Sequence, residues 1–163
     1  MVCVRTRLLF VGGPVLAAAV AAGLVLGFTR GGGGPGDPGA FMTKLVEQIA
    51  ANDYADAWLT LHPTQQRFAT RDAYIACESQ SPIPGRLASV RVVDVRDEQV
   101  RIAGETAAAA GKAVRVRLSI AGVGAPIVVT HTTHAVAVGG HWTWILPPER
   151  FADYRAGRCP GQS

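Results

Sequence analysis

The run His131-Thr132-Thr133-His134 is where side chains of catalytic type cluster in this chain. Two imidazoles three apart suit a shared metal ion on a helix. "PIVVTHTTHAVAV" reads as a strand, however, and there such a separation sends them to opposite faces. No Asp or Glu sits at ligand spacing in that strand, so neither a metal nor a cofactor is expected. His131 remains as a candidate general base, with Asp94 as the carboxylate that would orient it. The plainer reading makes His131 a neutral core histidine, bonded to backbone or to Tyr74. His62, ahead of a proline at a helix end, reads as a capping or surface residue, and His141 as a solvated residue beside a turn. The chain holds no G-x-S-x-G, H-E-x-x-H, C-x-x-C, phosphate-loop or dinucleotide fingerprint. The expectation is a non-enzymatic binding domain. The alternative is an isomerase- or dehydratase-like enzyme built on His131.

The elements around His131 decide which face it occupies. Gly139-Gly140 reads as a two-residue hairpin turn into "HWTWIL". That turn sets Val138 opposite His141, Ala137 opposite Trp142 and Ala135 opposite Trp144. One face then holds His131, Ala135, Ala137, Trp142 and Trp144. Helices should cover it and bring Trp58 and Tyr74 alongside as pocket lining. The other face holds Thr132, His134, Val136, Val138, His141, Thr143 and Ile145, apolar enough to meet a partner. In "VRVRLSI", Val114, Val116, Leu118 and Ile120 point one way. Arg115 and Arg117 point the other, to solvent or, alternatively, to a partner or anionic lipid. "ASVRVVDVR" is a further strand whose alternation slips at Val92-Val93, as a bulge would make it. The slip leaves the direction of Asp94 open. Residues 98–111 read as a long loop or excursion.

Upstream the period is helical. Phe41, Leu45 and Ile49, with Met42 and Val46, share one face. Asn52-Asp53 ends that helix and caps the next, which carries Tyr54, Trp58 and Leu61 and stops at His62-Pro63. Thr70 is a candidate cap for a third helix, "RDAYIACES", ended by Pro82 and Pro84. Tyr54, Trp58, Phe68 and Tyr74 read as core. Three helices followed by a meander predict an α+β fold, with the helices packed on one face of a curved antiparallel sheet.

Ahead of this domain lies an address. Leu8 to Phe28 is a run of 21 residues without a charge, enough for a bilayer core of ~30 Å. Arg5 and Arg7 precede it and Arg30 follows, which favours the N-terminus inside and the domain outside. The predicted organisation is a single-pass signal-anchor over residues 1–30, a Gly/Pro linker over 31–40 and a folded domain over 41–163. Cleavage after Ala19-Val20-Ala21 and secretion is the alternative. The net charge of +4 is spread evenly, and residues 41–163 carry thirteen Lys or Arg against eleven Asp or Glu. No basic footprint for nucleic acid exists there.

"NDYADAW" between the first two helices, and a sheet ending in "GGHWTWIL", resemble the nuclear transport factor two-like superfamily over about residues 41–150. The tethered arrangement resembles its membrane-anchored, exported actinobacterial members. The resemblance implies a cone in which helices close over a curved sheet, often around an apolar pocket. The fold hosts isomerases, dehydratases, assembly subunits and binding modules alike. The partners expected are an envelope protein, a second copy or a small apolar ligand, with a role as accessory subunit of an envelope complex as a further alternative. Outside the membrane, Cys77 and Cys159 have only each other to pair with. A disulfide between them is therefore expected to pin the C-terminal tail onto the third helix.

Overall fold

The computed structural model describes residues 34–122 and 124–161. In chain order it comprises α1 (Pro38–Ala50), α2 (Tyr54–Leu59), α3 (Pro63–Gln66), α4 (Arg71–Glu78), β1 (Arg86–Arg101), β2 (Ala108–Ala121), β3 (Ile127–Val138), β4 (His141–Trp144) and α5 (Pro148–Arg155). The fold is α+β, with one open antiparallel sheet ordered β1-β2-β3-β4. The anchor expected over residues 1–30 lies outside the described residues. Among those described, no helix is long and apolar enough to cross a membrane.

α1 starts at Pro38, inside the stretch read as linker. Asp37 caps it, its Oδ1 accepting from the Gly39 N–H at 2.9 Å, and Pro38 brings a preset φ to the first turn. Gly and Pro mark spacers and helix starts alike, and composition alone does not separate the two. α2 begins at its expected cap, Asp53. α3 is a single turn and α5 only two, and each opens at a proline with too little length for an apolar repeat to register.

β1 pairs with β2 from Arg86 to Arg101, so residues 98–111 are two strand ends joined by a shorter loop over 102–107 rather than one long loop. Gly111 permits the close approach of β3, since a Cβ there would lie 2.7 Å from the Ala135 carbonyl oxygen. The register shifts between Val92 and Asp94 and leaves Val93 as the extra residue of a bulge. Gly139 and Gly140 both take positive φ, 59° and 83°, as a tight hairpin turn of this hand requires. They set the expected pairs of Val138 with His141, Ala137 with Trp142 and Ala135 with Trp144.

The main core joins Val114, Val116 and Ala135 of the sheet to Met42, Leu45, Leu61, Tyr74 and Trp144. Phe68, expected in it, is 41% exposed and packs edge-on against Phe151. On the other face of the sheet, the part of the expected open surface that lies nearest β4 is covered. Val136 and Ile145 are buried there with Val100 and Ile102. Thr143 is buried too, its Oγ1 donating to the Val136 carbonyl at 2.8 Å. The added length of β1 supplies the residues that cover them. Arg115, Arg117, Thr132 and Val138 remain exposed.

Candidate functional site

β4 is short, and its shortness makes the site. Trp144 pairs with Ala135 of β3 on one side. On its other side its N–H donates to the Thr60 carbonyl at 3.0 Å, and its carbonyl accepts from the His62 N–H at 2.9 Å. Gln65, fully buried, then takes the next free donor: its Oε1 accepts from the Leu146 N–H at 2.7 Å. Pro147 and Pro148 have no N–H to offer a strand. The chain leaves the sheet here and enters α5. Residues 127–134 of β3 are consequently paired only with β2 among the described strands. Half of their backbone donors and acceptors point away from the sheet.

A groove of about 590 Å³ runs along this open edge. Leu45, Val46 and Ile49 of α1 and Val116 and Leu118 of β2 give it an apolar floor. Glu78, Arg150 and Tyr74 stand at one part of its wall, and His131, His134 and Glu98 at another. Glu78 is the hub of the first group. It accepts from Arg150 and, at 2.7 Å, from the Tyr154 hydroxyl. Burial pulls the Arg150 pKa down, but the hydrogen bond and charge of Glu78 outweigh it, and the guanidinium is held above its ordinary value. Burial, reinforced by the Glu78 charge, pushes the Tyr74 and Tyr154 phenols well above theirs. The guanidinium therefore stays charged and the two phenols stay neutral across the neutral range. In the second group, His134 Nε2 lies 3.2 Å from Glu98 Oε1 across the sheet.

The expected site residues divide between groove and core. Tyr74, His131 and Trp144 line the groove, whereas Trp58 and Trp142 do not. Each tryptophan N–H is bound to backbone: Trp58 to the Ala69 carbonyl at 2.6 Å, Trp142 to Gly36 at 2.9 Å and Trp144 to Ala57 at 2.8 Å. His131 was expected under the helices but is exposed, because β4 ends before reaching it. Its expected partner also fails to meet it. Asp94 stands opposite Arg115, on one face of the sheet, while His131 stands opposite Val116, on the other. The bulge at Val93 set that parity. Glu78, Arg150 and Tyr154 give no signal in sequence. Glu78 and Arg150 are 72 residues apart, and only the disulfide between Cys77 and Cys159, which ties α5 to α4, hints that they meet.

His62 is a capping residue. Its Nδ1 accepts from the Thr64 N–H at 3.4 Å at the start of α3, which requires the proton on Nε2. Burial lowers its pKa from 6.5, against a smaller opposing pull from Glu105. A folded-state pKa below the unfolded one gives stability that is present above pH 6.5 and lost as pH falls through the folded value. His62→Asn keeps a cap acceptor that does not titrate. Denaturant unfolding at about pH 7.5 and about pH 5.5 is expected to show a smaller acid loss in this variant than in the wild type. An equal loss in both would show that His62 does not titrate on unfolding.

No family model matches the chain, and no curated protein sequence matches it.

Proposed function

We propose that this is a non-enzymatic, membrane-tethered extracytoplasmic domain whose groove takes a small apolar ligand with a polar end. The groove carries the reading. Its floor is aliphatic, its volume of about 590 Å³ suits a small molecule, and Glu78, Arg150 and Tyr74 gather at one part of its wall. The apolar body lies on Leu45, Val46, Ile49 and Leu118, and the polar end faces Glu78 and Arg150. The apolar run from Leu8 to Phe28 supports the tether, and the Cys77–Cys159 bond fits an oxidising compartment. Helices placed ahead of an antiparallel sheet support membership of the nuclear transport factor two-like superfamily.

Trp144 lines the groove while the other two tryptophans lie outside it, so a brominated fatty acid is a selective quencher. Added to the full chain in non-ionic detergent, it is expected to quench the Trp144 share of the fluorescence saturably. Val46→Phe narrows the groove and is expected to weaken that binding about tenfold, roughly the loss of one good apolar contact. Quenching that is absent, or unchanged in Val46→Phe, would contradict the reading.

A further inference from the structure

A second site stands on the opposite face of the sheet, at the end away from β4. Arg91 of β1 and Arg117 of β2 are direct cross-strand partners, and the next pair along is Ser89 with Ser119. Directly opposed residues of an antiparallel pair share a face, so two guanidinium groups and two hydroxyls form one block. On β3, Val128 stands beside Ser119 and Thr130 beside Arg117. Ser89, Arg91, Arg117, Ser119 and Val128 line a depression of about 310 Å³.

Like charges placed directly opposite on a sheet oppose folding. Nothing nearby relieves this pair. Neither arginine makes an ion pair with a described residue, though Arg96, Lys112, Arg150 and Arg158 all do. The nearest carboxylate on this face, Asp94, stands opposite a third arginine, Arg115. Arg86 adds a further cation beyond the serines, opposite Ala121. The block therefore has a surplus of positive charge, forked donors and hydroxyls turned to solvent over one small concavity.

We propose that Ser89, Arg91, Arg117 and Ser119 form an oxyanion site that takes a phosphoryl group. Two guanidinium forks and two hydroxyls match the several acceptor oxygens of a tetrahedral phosphate, and the bound charge offsets the arginine–arginine repulsion. The phosphoryl group belongs either to a soluble phosphate ester or to a phospholipid headgroup. Val128, exposed on β3 beside Ser119, offers apolar surface to either carrier. The site is separate from the groove and does not depend on how the groove is used.

The test is thermal unfolding of the full chain in non-ionic detergent, with ionic strength held constant by sodium chloride. Inorganic phosphate at about ten times its dissociation constant is expected to raise the melting temperature by about 4 °C. Arg117→Gln removes the repulsion and the ligand fork together. It should melt at or above the wild type without phosphate, and phosphate should no longer shift it. Ser89→Ala, which leaves the charges in place, should reduce the shift without raising the starting temperature. Phosphatidylglycerol mixed into the micelles identifies the carrier. If it raises the melting temperature where phosphatidylcholine does not, and added phosphate then adds nothing, the ligand is a headgroup. A shift with phosphate alone assigns a soluble ester. No phosphate-dependent shift in either arm, or the same shift in Arg117→Gln, overturns the proposal.

Discussion

Breaking the bond between Cys77 and Cys159 is expected to lower the melting temperature by about 10–15 °C, the largest single effect available in this domain. The two Cα atoms are 5.1 Å apart and the cysteines are separated by 82 positions. Loop closure of that length stabilises by roughly 4.5 kcal/mol in the chain-entropy model, and measured values more often fall at about 2–4 kcal/mol. The bond also holds α5 against α4, and α5 brings Arg150 to the groove wall. Cys159→Ser should therefore lose brominated fatty acid binding along with stability. Differential scanning calorimetry with and without reductant checks the first effect. In the Cys77→Ser/Cys159→Ser double variant, reductant should change nothing. A wild type insensitive to reductant would mean that packing of α5 alone holds the tail.

Glu78→Ala is expected to destabilise by about 2–3 kcal/mol. The Glu78 side chain is 11% exposed and that of Arg150 39% exposed. Solvent screens the arginine in part, which places the loss below that of a fully buried pair. Removing Glu78 strands a guanidinium whose Nε is already buried without a hydrogen-bond partner, and it also leaves the Tyr154 hydroxyl without its acceptor. Glu78→Gln keeps an acceptor for Tyr154 and should cost about half as much. Urea unfolding of the three proteins measures the order. If both variants match the wild type, the cluster is solvated and contributes nothing to folding.

The sheet was legible where local geometry leaves one solution. Two adjacent glycines between alternating runs demand positive φ, and they fix four cross-strand pairs at once. The bulge at Val93 was legible for the same reason: two valines in a row break a period of two. The strand after Arg96 was not, because Ala108, Ala109 and Ala110 carry no β signal of their own. Their partners are Gln99, Val100 and Arg101 of β1, far beyond the stretch whose alternation marks the strand. From that one extension followed the burial of Val136 and Ile145, which sequence alternation alone places outside.

The site was less legible than the fold, and the reason is an ending rather than an element. Alternation through "HWTWIL" gives no notice that Gln65 will capture the Leu146 N–H from 81 residues away. The two prolines that follow do mark a stop, yet a stop says nothing of what it uncovers. Had β4 continued, His131 would lie under a paired strand and the groove along residues 127–134 would be closed.

Native mass spectrometry of the full chain, purified from a membrane and released gently from detergent, tests the groove most directly. The spectrum is expected to show the mass of the disulfide-bonded chain plus one apolar molecule in near-stoichiometric amount, with the added mass lost in Val46→Phe. The bare chain mass in both proteins, together with no quenching of Trp144 by brominated fatty acid, would contradict the account.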